Sequence, residues 1–174
     1  METKLLTEAD IHYRLGELVA LLIDTVEHGA SIGFTLPLAK SEAENYWRKV
    51  AGEVGAGNKI FVAAFDEGGG LTGCAQLAKE SRTNGRHRAE VQKLMVWHAR
   101  RGRGTGAGLM RRIEQEARAE GRTLLFLDTS TGAGGATEFY RRLGYQFVGS
   151  IPDYAADPDG RLMPNAIFYK QLPN

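Results

Sequence analysis

From Thr7 onward, apolar side chains recur at Ile11, Leu15, Leu18, Val19, Leu22 and Val26. This is the spacing of one helix face, with Thr7 placed to cap its start and Gly29 to stop it. A single amphipathic helix is expected there. A second is expected from a capping box, Ser41 to Glu44, through Tyr46, Trp47, Val50 and Val54 to a stop at Gly55. The stretch between them, SIGFTLPL (31–38), is apolar but broken by Gly and Pro, and reads as a loop that covers something.

The period then changes. KIFVAAF (59–65) and LTGCAQLA (71–78) read as strands, and Asp66-Glu67-Gly68-Gly69-Gly70 between them has the chemistry of an antiparallel hairpin. AEVQKLMVW (89–97) is a third strand and leads through a Gly/Arg stretch into a helix whose buried stripe is Leu109, Ile113 and Ala117, ending at Gly121. TLLFLDT (123–129) is the continuous apolar run of a strand covered on both faces. A short helix from Ala136 to Leu143 stops at Gly144, and YQFVGSI (145–151) and NAIFYKQL (165–172) supply two last strands. The order helix, helix, hairpin, strand, helix, strand, helix, strand, strand predicts a mixed α/β sandwich.

Composition narrows the class without naming it. With 174 residues, 43% hydrophobic and 25% charged, and no internal repeat or linker, the chain is expected to form one domain over residues 1–174. The single Cys74 permits no internal disulfide and fits a reducing, cytoplasmic setting. METKLLTEAD lacks the basic and apolar regions of a signal peptide, and no run approaches the ~18 apolar residues of a membrane span, so no membrane association is expected. The net charge of +1 is an average over unlike parts, because residues 80–122 carry 11 Lys/Arg against 5 Asp/Glu. A basic block inside a neutral chain suits one local polyanionic ligand better than nucleic acid. Its arginines are expected to converge on one turn.

That turn is Arg100-Arg101-Gly102-Arg103-Gly104-Thr105-Gly106-Ala107-Gly108, between a strand and a helix. Glycines let main-chain amides approach a ligand, and a helix N-terminus adds unpaired N–H donors and partial positive charge, which makes an anion cradle. The neighbouring arginines suit a pyrophosphate. A P-loop is excluded, since Gly106 is followed by Ala107 and Gly108 rather than Lys and Ser/Thr. Gly102-x-Gly104-x-x-Ala107 with Asp128 downstream matches the dinucleotide fingerprint in part, but five residues separate Val96 from the first glycine.

Arg101-x-x-Gly104-x-Gly106 between strand and helix resembles the acetyl-CoA signature of the GCN5-related N-acetyltransferases (GNAT), and Phe139-Tyr140-Arg141-Arg142-Leu143-Gly144-Tyr145 resembles that family's second motif. HGASIGF (28–34), Arg88 to Val96 and the segment Pro158 to Ile167 are similar to the tabtoxin-resistance acetyltransferases. The resemblance implies a mostly antiparallel central sheet with two splayed parallel strands, flanked by helices. It implies acetyl-CoA as acetyl donor, with pantetheine on the backbone of Leu94, Met95 and Val96. The pyrophosphate would lie on Arg101, Gly102, Arg103, Gly104, Thr105 and Gly106.

Acetylating an amine raises two proton problems: an alkylammonium near pKa ~10.4 must lose a proton, and a thiolate near ~8.5 benefits from gaining one. Glu90 stands where many family members place a carboxylate base. Asp128 ends an apolar strand at the carboxyl end, where α/β sheets place ligands, and is the second candidate for the base or for binding the amine. Tyr140 matches the family tyrosine that protonates the CoA sulfur or positions the thioester. Direct transfer is expected, because Cys74 lies mid-hairpin outside any motif. His98 reads as a loop residue, and no metal site is expected since no second ligand stands at the right spacing. The acceptor implied is a primary amine of a small molecule, an amino-acid-like or dipeptide antibiotic or toxin. The alternatives are a peptide or protein amino group, and a non-catalytic acyl-CoA or dinucleotide-binding module. A second lid is expected at Pro152 to Pro164, where Asp153, Asp157 and Asp159 either face a cationic ligand or are solvated turn residues. Oligomeric state is left open by the sequence, with strand exchange or packing at the C-terminal strands the natural contact for a homodimer.

Overall fold

A computed structural model of the chain describes residues 1–131 and 135–173. The expected short strands and helices are present, with additions at the N-terminus and near the C-terminus. Strand β1 (Glu2–Leu5) pairs antiparallel with β2 (Lys59–Phe65), an edge strand that the short, mostly exposed ETKL segment does not announce. Thr7 caps α1 (Glu8–Tyr13) in a reciprocal box with Asp10, but the single helix expected from Thr7 to Gly29 is broken at Arg14. It resumes as α2 (Leu15–Glu27). The break stands two residues before Gly16, the weakest helix former of the stretch, and the Arg14 guanidinium there lies 4.5 Å from the centre of the Phe65 ring. Helix α3 (Lys40–Gly55) starts one residue before Ser41, with Ala39 at its cap, so the Ser41 to Glu44 capping box does not form.

Strands β2, β3 (Leu71–Lys79), β4 (Arg88–Val96), β5 (Leu124–Ser130), β6 (Gln146–Gly149) and β9 (Asn165–Gln171) complete a seven-stranded sheet in the order β1-β2-β3-β4-β5-β9-β6. Two-residue strands β7 (Ala155–Ala156) and β8 (Leu162–Met163) form a separate hairpin inside the expected Pro152 to Pro164 loop. Every pairing is antiparallel except β4 with β5, joined by helix α4 (Thr105–Ala119). This is the mixed, mostly antiparallel sheet flanked by helices that the sequence implied.

Each face of the sheet buries its own core. Helices α1, α2 and α3 cover one face through Leu18, Leu22, Trp47, Phe61 and Met95. Helix α4 and α5 (Ala136–Arg142) cover the other through Leu109, Ile113, Leu125, Leu127, Tyr140 and Phe168. Among the described residues no helix is long and apolar enough to cross a membrane.

Candidate active site at the splay of two parallel strands

Strands β4 and β5 pair only over Arg88 to Glu90 and Leu124 to Phe126. Past Glu90 the rest of β4 keeps β3 on one side and has no β5 partner on the other, so a row of its main-chain groups faces a gap. A bulge sharpens the divergence. Between Cys74 opposite Met95 and Gln76 opposite Gln92, β4 holds one residue more than β3, and Lys93 takes a left-handed φ of 51°. The extra residue reverses the side-chain phase. Ala89 and Val91 face α4, and beyond the bulge so do Leu94 and Val96, while Met95 is buried in the opposite core. Of the three residues expected at the pantetheine, Met95 therefore presents only its backbone.

The Gly/Arg turn closes the same end of β4. Gly102 and Gly104 have φ of 75° and 84°, a region that glycine enters without penalty, and no atom lies within 4 Å of where a Cβ would stand at either. Gly104 is the N-cap of α4 and offers no side chain, so the first amides of a 15-residue helix keep their donors free. At Gly106 a Cβ would stand 3.4 Å from the Phe139 ring, which is how closely α5 approaches α4 here. Thr105 is buried; Arg101 and Arg103 are exposed. The arginines of the basic segment do not all converge on this turn. Arg82 and Arg88 bind Glu80 at 2.7 and 3.0 Å, at the other end of β4, and Arg100 binds Asp66 at 3.0 Å. Strand β4, nine residues long, separates Arg82 and Arg88 from the turn.

A cavity of about 400 Å³ opens at the gap and is lined by Glu90, Asp128 and Tyr140, the three residues expected to carry chemistry. Alternation explains the first two. Glu90 points away from the face of Ala89 and Val91, and Asp128 away from that of Leu125 and Leu127, so both carboxylates stand on the α1–α3 side of the sheet. Tyr140 reaches the cavity from the other side, packed against Tyr145 and Phe168 with both ring centroids at 5.8 Å. Burial pushes its phenol well above the usual range, with the Asp128 charge adding to the effect, so it is a protonated donor at neutral pH.

The cavity also holds residues that sequence reasoning missed. Lys93 sits at the bulge, donates to the Ile32 carbonyl, and stands 5.9 Å from the centres of both the Phe34 and Tyr46 rings. Desolvation lowers its pKa, nearby Lys59 lowers it further, and Asp128 and Glu90 act in the opposite sense. Among the described residues no carboxylate lies within 4.0 Å of its ammonium. Asn165 is 3% exposed and accepts from the Ile151 amide, yet its Nδ2 has no partner among the described residues. Gln92 donates to Glu90 at 2.7 Å.

Two segments roof the cavity, as their sequences suggested. Ser31, Ile32 and Gly33 line it from one side and Tyr154, Ala155 and Met163 from the other. They are tied together by Ser31 Oγ to the Ala156 carbonyl at 3.1 Å and by the Leu36 amide to the Pro158 carbonyl at 2.8 Å. The three aspartates of the second lid do not line the cavity. Asp157 accepts from the amides of Asp159 and Arg161 at 3.0 and 2.9 Å, which is turn chemistry. Cys74 is fully buried and its thiol pKa is pushed up. His98 stacks on His28 at 4.0 Å, with its amide on Asp24. Among the described residues no three His, Cys, Asp or Glu side chains gather as a metal site. A larger, open hollow of about 700 Å³ lies at the sheet edge between β1, α1 and β2, away from Glu90, Asp128 and Tyr140.

A parallel strand pair that splays beside an uncapped helix N-terminus, with carboxylates and a phenol at the gap, defines an α/β acyltransferase architecture. The chain belongs to the GCN5-related N-acetyltransferases: the family model described as an acetyltransferase (GNAT) domain matches residues 56–147. A relative described as an IAA acetyltransferase, from Azospirillum brasilense, is 34% identical over 90 residues. That match spans 52% of this chain and 57% of the relative. The crystal structure of ribosomal-protein-alanine N-acetyltransferase from Brucella melitensis aligns over 99% of this chain and 100% of its own, with a TM-score of 0.79 and 23% identity. A phosphinothricin acetyltransferase from Sinorhizobium meliloti, solved in complex with acetyl-CoA, aligns over 98% and 88% with a TM-score of 0.77 and 19% identity. The fold rules out the dinucleotide reading of the Gly/Arg turn, since β4 lies mid-sheet after a hairpin rather than opening a doubly wound sheet.

Proposed function

We propose that residues 1–174 form one N-acetyltransferase domain that moves an acetyl group from acetyl-CoA directly to the primary amine of a small, amino-acid-like molecule. The observation that carries this reading is the free edge of β4 opening between an uncapped α4 N-terminus and a roofed cavity with two carboxylates. The turn fits the donor. Space at Gly102 and Gly104 admits a pyrophosphate to the first amides of α4 and Thr105, with Arg101 and Arg103 beside it, and Leu94, Met95 and Val96 offer main-chain partners to an extended pantetheine. Acetyl-CoA supplies an activated acetyl thioester.

The chain's own residues handle the protons. Glu90, or Asp128 across the gap, accepts a proton from the incoming ammonium, and the freed nitrogen forms the new C–N bond as the C–S bond breaks. Tyr140, held protonated by burial, donates to the departing sulfur, and the second proton shed by the acetylated nitrogen restores the phenol. The acceptor's class follows from charges left without a counter-charge and one amide left without a partner among the described residues. The Lys93 ammonium and the Asn165 amide donors suit a carboxylate, while Glu90 and Asp128 suit an ammonium, and a zwitterion satisfies both. The shared roof favours a small molecule over a peptide segment.

The test is thiol release from acetyl-CoA with amino acids, phosphinothricin, dipeptides, polyamines and aminoglycosides as acceptors. Turnover is expected with an amino acid or dipeptide and not with its decarboxylated analogue. Equal turnover of the two removes the carboxylate from the reading, and none with any amine removes the reading itself. Tyr140→Phe should lower kcat more than acetyl-CoA affinity; an equal loss would reduce Tyr140 to packing.

A further inference from the structure

Lys59 is a half-buried lysine with no carboxylate within 4.0 Å among the described residues, and desolvation lowers its pKa. It holds two amides instead. Its Nζ donates to Gln92 Oε1 at 2.8 Å and to Gln76 Oε1 at 3.2 Å. Gln92 Nε2 in turn donates to Glu90 Oε2 at 2.7 Å, and Gln76 Nε2, fully buried, donates to the Tyr46 hydroxyl at 2.9 Å. The sheet builds this chain by register. Gln76 and Gln92 are directly opposed on β3 and β4, and Glu90 lies two residues along the same face.

We infer that Lys59 is a positioning residue, which acts through Gln92 to aim and hold the Glu90 carboxylate. The reason is the direction of the bonds. An amide side chain can present either end, whereas a lysine ammonium can only donate. With Lys59 in place the oxygens of Gln92 and Gln76 must face it, and so the N–H of Gln92 must face Glu90. Turned over, Gln92 would oppose a carbonyl oxygen to a carboxylate oxygen and leave Glu90 without that donor. The bond engages Oε2 and leaves Oε1 to receive a proton. The same logic reaches Tyr46: its oxygen accepts from Gln76, so its own proton is free for the cavity it lines. Other charges face the cluster from neighbouring elements, namely Lys93 on β4, Asp128 on β5, and Lys49 and Glu53 on α3, but none of them orients the Gln92 amide.

This inference rests on the reading of Glu90 as the base, and two independent measurements separate their failures. Lys59→Met keeps length and burial while removing the donor. It should lower kcat about 10-fold, part of the ~10²–10⁴ that a positioned base contributes, with KM for acetyl-CoA close to wild type. Lys59→Arg, also donor-only, should recover most of the loss. Gln92→Glu keeps an acceptor for Lys59 but deletes the N–H to Glu90, and should lose kcat like Lys59→Met. Solvent exchange of the Gln92 side-chain amide protons, followed by NMR, requires no turnover. It should be slow in wild type and Lys59→Arg, and fast in Lys59→Met. Unchanged kcat in Lys59→Met, or an amide equally protected in all three proteins, overturns the proposal. If the wild-type protein acetylates no amine, the parent reading fails, and the amide exchange still decides whether Lys59 orients Gln92.

Discussion

Lys93 carries two local costs at once: a left-handed backbone that a non-glycine side chain rarely adopts, and a half-buried ammonium without a counter-ion among the described residues. The first belongs to the β4 bulge; the second is explained if a ligand anion completes the site. Lys93→Met should therefore raise KM for a carboxylate-bearing amine about 10-fold or more, the effect of removing a charged hydrogen bond, and barely change KM for acetyl-CoA. Its pH signature is distinct. The folded-state pKa of Lys93 lies below its unfolded value of 10.5, so on approach to that value the unfolded chain binds more protons and this lysine's contribution to stability rises with pH. Urea titrations across that window should show wild type gaining on Lys93→Met as pH rises; parallel curves would mean the ammonium carries no such cost. Glu90, Asp128 and Tyr140 could be singled out as candidates because each stands near a strand end or in a motif, and the three line one cavity. The lysines were not, because a lysine in a strand reads as solvated. A signal was nevertheless present: in Ala89 to Val96 the apolar alternation slips at the adjacent polar pair Gln92 and Lys93, which is the mark of a bulge.

At the scale of elements, the approach to α4 is where sequence and structure agree most closely, because glycines at left-handed positions and a helix start leave few alternatives. That agreement supports a controlled test. Gly104 and Gly121 flank the same helix, have φ of 84° and 68°, and have no atom within 4 Å of the place a Cβ would take. Alanine at either should cost about 1–2 kcal/mol of backbone strain, a drop of about 2–8 °C in Tm at this chain length. Only Gly104→Ala should also weaken acetyl-CoA binding, measured by calorimetry, because its methyl would occupy the space in front of the free α4 amides. Equal affinity in the two variants would move the pyrophosphate elsewhere. Other elements were hidden for physical reasons. Strand β1 exists because β2 offers it an edge, and β7 with β8 exists because the 31–38 loop offers its hydrogen bonds. Such pairings depend on partners far away in sequence. At the break, Arg14 likewise packs on Phe65, a residue of the distant hairpin.

Across the whole molecule, two cores lie on opposite faces of one sheet, and the sheet is incomplete where β4 and β5 part. Elsewhere β5 is well tied, with seven registered pairs to β9, so the gap is confined to the side of β5 that faces β4. A ligand that lies along the free edge of β4 and ends on α4 would join the α4–β4 half to the β5–β9 half without requiring either to move. Acetyl-CoA should therefore stabilise the native chain by mass action, by about 2.7 kcal/mol at a hundredfold excess over Kd. At 174 residues this corresponds to a rise of about 5–10 °C in Tm. The net charge of +1 gives no general affinity for polyanions, so ATP and NAD at the same concentration should leave Tm unchanged. CoA alone should give most of the shift, because in the proposed site the edge of β4 and the α4 amides would receive the pantetheine and pyrophosphate rather than the acetyl group. In Gly104→Ala the rise should shrink, while in Lys59→Met it should persist, since that change lies in the base's support and leaves the cradle intact. A shift of equal size with ATP would place the stabilisation in the arginines alone and remove the strand edge from the binding site.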